Sequence, residues 1–115
     1  MSEGCLFCGI VAGEIGADVV AEGDEWLAFR DIHPQAPTHV LVVPRRHVAT
    51  LDDLTEGDEP LVGTLVGAAA RIAREEGLVD GGYRLVANCG AGAGQSVFHV
   101  HLHLLGGRGF SWPPG

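Results

Sequence analysis

The chain has 115 residues, a length typical of one compact domain, and 46% of them are apolar, which is enough to form a core. The formal net charge is −8, and all seven basic residues are Arg. This balance argues against nucleic-acid binding, which depends on a basic surface, and the lack of Lys excludes a Lys-based phosphate loop or Schiff base. Because we find neither a membrane-length apolar run nor a signal peptide pattern, we expect a single cytoplasmic domain over residues 1–115 that binds no membrane.

The first half of the chain predicts a short helix followed by three strands. In "CLFCGIVAGEI", apolar residues recur at i, i+1, i+4 and i+5, which indicates a helix that ends near Gly13. "VVAEG" and "WLAFRDI" predict two strands joined by the turn "GDE". After the proline-containing loop "IHPQAPTH", the β-branched run "HVLVVP" predicts a buried strand that ends at Pro44.

The second half predicts one long helix and two more strands. The stretch from "LDDLTEGDEP" to "REEGL" has apolar residues at helical spacing, and Gly77 is a plausible stop. These apolar positions are Leu61, Leu65, Ala68, Ala69 and Ile72. "YRLVAN" and "VFHVHLHLL" predict strands, separated by the glycine-rich loop "CGAGAGQS". One long helix among five strands favours an α+β fold with a five-stranded antiparallel sheet.

The last predicted strand carries three histidines at every second position, His99, His101 and His103. Side chains alternate faces along a strand, so these rings should share one face. The residues between them should pack on the core: Val100, Leu102 and Leu104. A polar, solvent-facing strand side is one interpretation, although Ser, Thr or Lys would serve it as well. The other interpretations are a metal site and a histidine nucleophile that attacks phosphorus with flanking groups as helpers.

The loop "NCGAGAGQS" favours the nucleophile interpretation. Gly90, Gly92 and Gly94 allow backbone N–H groups to approach a phosphate closely, although such a loop alone is more often a flexible turn. It is neither a P-loop nor a dinucleotide fingerprint, because no Gly-Lys-Ser/Thr and no helix follow it. Joined to the histidine strand, it predicts a phosphate cradle, and Ser96 adds a hydroxyl beside it.

The chain has three cysteines, Cys5, Cys8 and Cys89, and this odd number does not indicate a disulfide framework. The pair in "CLFC" is compatible with a redox couple, a disulfide or a metal site. A thioredoxin-like motif would need a preceding strand, and a zinc site would need two further ligands. The spacing alone leaves these interpretations open.

These motifs resemble a known family. "QSVFHVHLHLL" resembles the signature of the histidine triad superfamily, and "AFRDIHPQAPTHVLVVPRRH", "GYRLVAN" and "WPPG" are similar to its Hint branch, the purine nucleoside phosphoramidases. The resemblance runs from about Leu6 to Gly115. It implies a homodimer whose two sheets form one ten-stranded sheet, with the tail 106–115, and Trp112 in it, reaching the partner's active site.

The resemblance also implies an activity, the hydrolysis of the bond from the α-phosphate of a purine nucleoside monophosphate to nitrogen or another leaving group. His101 would be the nucleophile that takes up the nucleotidyl group, and the carbonyl of His99 would hold its ring. His103 would bind phosphate oxygens. The other implied catalytic residues are Ser96, near the leaving group, and His39, a fourth histidine near the site.

The resemblance further implies a nucleotide-binding set. Asp31 would hydrogen-bond the ribose hydroxyls, Asn88 would make a polar contact to the nucleotide, and the backbone near Gly94 and Gln95 would bind the phosphate. The purine pocket would be apolar, formed by Leu6, Phe7, Ile10, Phe29, Ile32 and Leu41. Several of these apolar residues would be core residues in almost any fold, and Asp31 would also suit a turn. The neighbours of Asp31, Arg30 and His33, could alter base or leaving-group preference.

Some histidine triad proteins bind zinc through two cysteines near the N-terminus, and the resemblance implies that here the ligands would be Cys5, Cys8, His47 and His99. Such a zinc would be structural, because four protein ligands leave no position for water. Two alternative functions remain open: hydrolysis of dinucleoside polyphosphates, against which the "WPPG" ending counts, and a zinc-containing nucleotide-binding module with little catalysis.

Overall fold

The computed structural model describes residues 4–115, and it confirms the α+β fold with a five-stranded antiparallel sheet. The helices and strands are α1 (Leu6–Val11), β1 (Val19–Glu22), β2 (Trp26–Arg30), β3 (Thr38–Pro44), α2 (Glu59–Glu75), β4 (Tyr83–Val86) and β5 (Leu102–Gly106). The strand order is β1-β2-β3-β5-β4, and every neighbouring pair is antiparallel. β3 therefore lies at the centre, as its continuous β-branched sequence predicts.

The two faces of the sheet are covered differently. α2 packs its apolar stripe on one face, where Leu65, Ala68 and Ala69 are almost completely buried against side chains such as Val40 and Leu104. A smaller apolar cluster lies on the other face, formed by Phe7, Leu27, Phe29, Leu41 and Val43. All seven residues of β3 are buried as a result.

Local hydrogen bonds close one end of each helix, and α1 ends at Val11, two residues before the predicted Gly13. The Cys5 side chain accepts a hydrogen bond from the Cys8 N–H at 3.3 Å at the start of α1. α2 ends at Glu75, and the predicted stop Gly77 follows two residues later with a φ of +75°, the left-handed conformation that glycine adopts without strain. The N–H of Leu78 then donates to the Ala73 carbonyl at 2.9 Å and closes the turn.

The last strand is shorter than predicted. The pattern predicted a strand over residues 97–105, but β5 begins at Leu102, so that only His103 of the three histidines belongs to it. The preceding segment bonds elsewhere, because the Val100 N–H donates to the Val48 carbonyl at 2.7 Å, outside the sheet. The alternation of faces is nevertheless correct, since the intervening apolar residues all belong to the core beneath α2: Val100, Leu102 and Leu104.

Within residues 4–115, no helix has the length and apolar character needed to cross a membrane.

Candidate functional site

A cavity of about 320 Å³ opens on the sheet face opposite α2. Its wall includes all six residues of the implied purine pocket: Leu6, Phe7, Ile10, Phe29, Ile32 and Leu41. Phe7 and Phe29 are buried and meet edge to face, with ring centroids 5.3 Å apart. Ile32 is 84% exposed, so it is a residue of the cavity rim and not a core residue. An apolar slot of this size is suited to a flat ring system.

His101 lies on the same cavity wall, and its ring is oriented by the backbone. Its Nδ1 is 2.8 Å from the carbonyl oxygen of His99, an acceptor, so the proton of the neutral ring belongs on Nδ1. Nε2 then carries the lone pair. The ring is 8% exposed and packs edge-on against Phe7, with centroids 5.1 Å apart. This tautomer and orientation are those that a nucleophilic imidazole needs.

His103 receives its orientation from a chain of hydrogen bonds. The Gln35 N–H donates to His39 Nδ1 at 3.0 Å, so the proton of a neutral His39 ring belongs on Nε2. That N–H donates to His103 Nδ1 at 2.9 Å. A neutral His103 therefore carries its own proton on Nε2, as a donor on the wall of the cavity.

Burial keeps this pair of histidines neutral. Desolvation, and then the neighbouring His101 and His39, lower the pKa of His103 to about 4. Desolvation also lowers the pKa of His39, although Asp31 opposes the shift. Both rings are thus uncharged near pH 7, and the hydrogen-bond chain that fixes their tautomers persists there.

Asp31 lies at the rim of the cavity with both carboxylate oxygens in use. Oδ1 accepts a hydrogen bond from the His33 N–H at 2.8 Å, the arrangement of an Asx turn, and Oδ2 lies 3.5 Å from His39 Nε2. Asp31 therefore both forms a turn, as its neighbourhood in the sequence allows, and lines the cavity, as the resemblance implies. Arg30, in contrast, directs its guanidinium to Glu76 through two hydrogen bonds of 3.1 and 3.2 Å. The exposed His33 is on the cavity rim.

The glycine-rich loop is built on the side chain of Gln95, which is only 3% exposed. Its Oε1 accepts from the Gly90 N–H at 2.8 Å, and its Nε2 donates to the carbonyls of Ala49 and Val97 at 2.8 and 3.1 Å. The backbone amides of residues 93–95 donate to carbonyls within the loop, at 3.0 to 3.1 Å. The next amide, that of Ser96, belongs to a residue of the cavity wall.

Four of the implied nucleotide-binding residues lie outside the cavity wall: Asn88, Gly94, Gln95 and Trp112. Asn88 lies next to Gly94. If a Cβ atom were placed on this glycine, it would be 3.6 Å from the side-chain Nδ2 of Asn88. Trp112 is 83% exposed in the tail, which Arg84 holds by donating to the Ser111 carbonyl at 2.9 Å. The tail of a chain thus does not close the cavity of that chain.

A second group of side chains forms a candidate metal site beside the cavity. Ligand atoms of Cys5, Cys8, His47 and His99 all lie within 4.8 Å of one another. The two Nδ1 atoms are 3.3 Å apart, and Cys8 Sγ is 3.2 Å from His47 Nδ1 and 3.5 Å from His99 Nδ1. The His99 Nε2 lies 2.8 Å from the Pro44 carbonyl, so its proton belongs there and the Nδ1 lone pair faces the sulfurs.

This donor set fits a tetrahedral ion. With metal–ligand distances of ~2.0–2.3 Å, two such ligands on a tetrahedron are ~3.3–3.8 Å apart, close to the distances between these atoms. Burial keeps the pKa of His99 low, which favours the neutral ring that binds metals. A Cys2His2 group that can hold a metal ion is therefore present.

Several contacts of the site were not foreseen from the sequence. The Gln35 N–H and the Pro44 carbonyl set the tautomers of two histidines, and no side-chain pattern marks such backbone groups. The cavity wall also includes Ile15, Gly16 and Ala17, which follow α1. The sequence signal that could have indicated this part of the wall was the apolar Ile15, which precedes the small residues Gly16 and Ala17.

Comparisons with known proteins agree with this geometry. The family model of the HIT domain matches residues 12–110. A purine nucleoside phosphoramidase of Escherichia coli is 44% identical over 108 residues, which cover 94% of this chain and 91% of that protein. An uncharacterized HIT-like protein of Synechococcus elongatus is 50% identical over the full length of both chains.

Solved structures give the same result. The crystal structure of a HIT family hydrolase from Legionella pneumophila Philadelphia 1 superposes with a TM-score of 0.95 at 54% identity, covering 96% of this chain and 99% of that one. Similarity of this extent to a HIT family hydrolase and to a purine nucleoside phosphoramidase indicates that the protein is a hydrolase. The chain belongs to the HIT family, with the phosphoramidase among its relatives.

Proposed function

We propose that the protein hydrolyses purine nucleoside 5′-phosphoramidates, such as adenosine 5′-phosphoramidate or an AMP-lysine amide, through a covalent nucleotidyl intermediate on His101. The observation that carries this proposal is the 2.8 Å hydrogen bond from His101 Nδ1 to the His99 carbonyl, on the wall of a cavity suited to a nucleotide. The name of the Escherichia coli relative, purine nucleoside phosphoramidase, supports the choice of substrate.

In the first step, His101 Nε2 attacks the phosphorus, and the bond from phosphorus to the amine nitrogen breaks. The amine leaves with a proton that comes from solvent, and the Ser96 hydroxyl at the cavity wall supports this transfer by hydrogen bonding. The ring of His101 becomes cationic, and the His99 carbonyl stabilises it through the Nδ1 proton. In the second step, water attacks the phosphorus, AMP leaves His101, and a proton returns to solvent.

The nucleotide would be held by the other residues of the cavity. The base would lie among the six apolar residues described above, and Asp31 would accept hydrogen bonds from the ribose hydroxyls. His103 Nε2–H would donate to a phosphate oxygen, as would an amide next to Gln95, whose own N–H donates to Gly90. Asn88 and Gly94 would contact the nucleotide from beyond the cavity wall described here.

Three further elements belong to the proposal. Zinc would occupy the Cys2His2 group, where it would supply a structural link between α1 and the segment before β5. Two chains would form a homodimer, each tail bringing Trp112 to the partner's site. The protein would act in the cytoplasm.

The test uses adenosine 5′-phosphoramidate as substrate and His101→Ala as the variant. We expect turnover to fall by about 10³-fold or more, since the nucleophile is lost, while AMP affinity measured by calorimetry stays within a few-fold. Cleavage by the variant at the normal rate would refute the assignment of the nucleophile. Faster cleavage of a diadenosine polyphosphate, or tight AMP binding without turnover on either substrate, would support one of the two alternative functions instead.

A further inference from the structure

A second groove, of about 400 Å³, adjoins the nucleotide cavity on the side of the metal site. The two share three wall residues, Leu6, Ser96 and Val97, so that the strip of chain at Ser96 separates them. Phe98 lies only in the second groove, where 46% of its surface is exposed. We call this the Phe98 groove.

We infer that the Phe98 groove receives the leaving half of the substrate, and that it favours amines that carry an uncharged apolar group over amines that carry a second, positively charged group, such as lysine attached through its side-chain amine. This inference rests on the proposed function, and it names the class of substrate that the same site would prefer.

The direction of the reaction supports this placement. In displacement at phosphorus, the attacking and leaving atoms lie roughly in line on opposite sides. His101 attacks from the wall of the nucleotide cavity, so the leaving nitrogen must point away from it. Ser96, which the proposed function places beside the leaving nitrogen, stands on both walls. A group attached to that nitrogen would therefore pass over Ser96 into the Phe98 groove.

The chemistry of the groove wall supports the choice of amine. Leu6, Val97 and Phe98 present apolar surface, and the first and last of these are 44% and 46% exposed. A flat or aliphatic group would cover them and remove that surface from water.

Charge complementarity argues against a cationic amine. Among the residues from 4 onward that line this groove, none is a carboxylate or a guanidinium, although the chain as a whole has a net charge of −8. His47, the titratable imidazole on this wall, turns its Nδ1 toward Cys8 and His99. An amine with a second positive charge would find no counter-ion among these described wall residues.

The test compares three AMP amides: the unsubstituted amide, the 2-phenylethylamide, and the amide of the side-chain amine of lysine methyl ester, whose free α-amine is positively charged. The two substituted amines are both primary alkyl amines, so their intrinsic reactivities are similar. We expect the wild-type kcat/KM for the phenylethylamide to exceed that for the lysine amide by about tenfold. Phe98→Ala should lower the phenylethylamide value by about tenfold and change the other two by less than about twofold.

Two more variants sharpen the test. Val79→Ala shortens another exposed apolar side chain, one that lines neither cavity. This control variant should leave all three kcat/KM values unchanged. Phe98→Glu places a carboxylate in the groove and should reverse the preference in favour of the lysine amide.

The outcomes separate the two proposals. If the unsubstituted amide is cleaved but Phe98→Ala lowers all three values equally or none of them, the groove assignment is refuted while the proposed function stands. If the wild-type protein cleaves none of the amides, the proposed function itself fails. A selective loss on the phenylethylamide, with the reversal in Phe98→Glu, would establish the groove as the leaving-group site.

Discussion

At the residue scale, His99 serves two parts of the molecule through different atoms. Its Nδ1 lies among the sulfurs and His47 of the metal site, and its Nε2 is tied to the Pro44 carbonyl at 2.8 Å. Its backbone oxygen accepts the hydrogen bond of His101 Nδ1. Because both ring nitrogens are engaged, the residue is held rigidly, and the carbonyl that orients the His101 ring is held with it.

His103 leads to a prediction about stability and pH. Its pKa is lowered to about 4 in the folded state, mainly by burial, from an unfolded value near 6.5. Between pH 6.5 and pH 4, this histidine is protonated in the unfolded chain but not in the folded chain. The free energy of unfolding should therefore fall as the pH drops through this range. The contribution of this group is at most ~1.4 kcal/mol per pH unit. The titratable groups that face it are His39, His101 and Asp31.

Urea midpoints between pH 4 and pH 7 measure this slope. His103→Gln replaces the ring N–H donor by a side-chain amide that cannot take up a proton. This variant should make the dependence of stability on pH shallower. His33→Gln, at an exposed position on the cavity rim, is the matched control and should leave the slope as it is. An unchanged slope in His103→Gln would show that the buried ring does not resist protonation.

Only part of the site was predictable at this scale. The alternation of histidine and apolar residues marks the ring positions, because the side chains of an extended segment point alternately to opposite faces. The protonation pattern was not predictable, since it depends on the Gln35 amide and the Pro44 carbonyl, which meet the rings only after folding. The orientation of the Arg30 side chain was also not predictable, because its partner Glu76 lies 46 positions away along the chain.

At the scale of elements, α1 connects the two candidate sites. Its N-cap residue Cys5 and its buried Cys8 belong to the metal group, whereas Leu6, Phe7 and Ile10 lie on the cavity wall. A six-residue helix is too short to be stable in isolation, so it depends on these tertiary contacts for its position. A metal ion would therefore fix one wall of the nucleotide cavity.

We accordingly predict that metal removal weakens both folding and nucleotide binding. Treatment with a chelator, or the variant Cys8→Ser, should lower Tm by at least ~5 °C and raise the Kd for AMP several-fold. Cys89→Ser, at an exposed cysteine in the glycine-rich loop, is the matched control. Differential scanning calorimetry and metal analysis of the purified protein measure the effect, and a chelated protein with unaltered Tm and AMP affinity would speak against this coupling.

The elements themselves were largely predictable, and the exceptions have a physical cause. The β-branched run of β3 and the apolar periodicity of α2 depend on local sequence and burial, which the sequence displays. The start of β5 depends instead on a tertiary contact, because the Val100 N–H donates to the Val48 carbonyl, which lies outside the sheet. An extended segment and a paired strand have the same alternating sequence, and only the tertiary partner distinguishes them.

At the scale of the whole molecule, the open edges of the sheet and the exposed tail bear on assembly. Among the described strands, β4 lies at one edge of the sheet and pairs only with β5, and an open edge is a template for pairing with another chain. Trp112 is 83% exposed and does not line the cavity of its own chain. Both features agree with the proposed homodimer, in which the edges pair and the tails cross.

Light scattering coupled to gel filtration should give about twice the chain mass of 12.0 kDa.

Trp112→Ala should lower kcat/KM by about tenfold, since a partner's indole is lost from the site. Mixing this variant with His101→Ala subunits should restore activity, because a mixed dimer has one complete site. Mixing it instead with subunits that carry both substitutions should restore none, and a monomeric mass would contradict the crossed tails.

The central claim is that the nucleotidyl group passes through a covalent bond to His101, and the stereochemistry at phosphorus tests it most directly. One diastereomer of an adenosine 5′-phosphorothioamidate, hydrolysed in isotopically labelled water, reports the number of displacements. Each in-line displacement inverts the phosphorus centre. We expect net retention from two displacements; net inversion would mean that water attacks directly and that His101 is not the nucleophile.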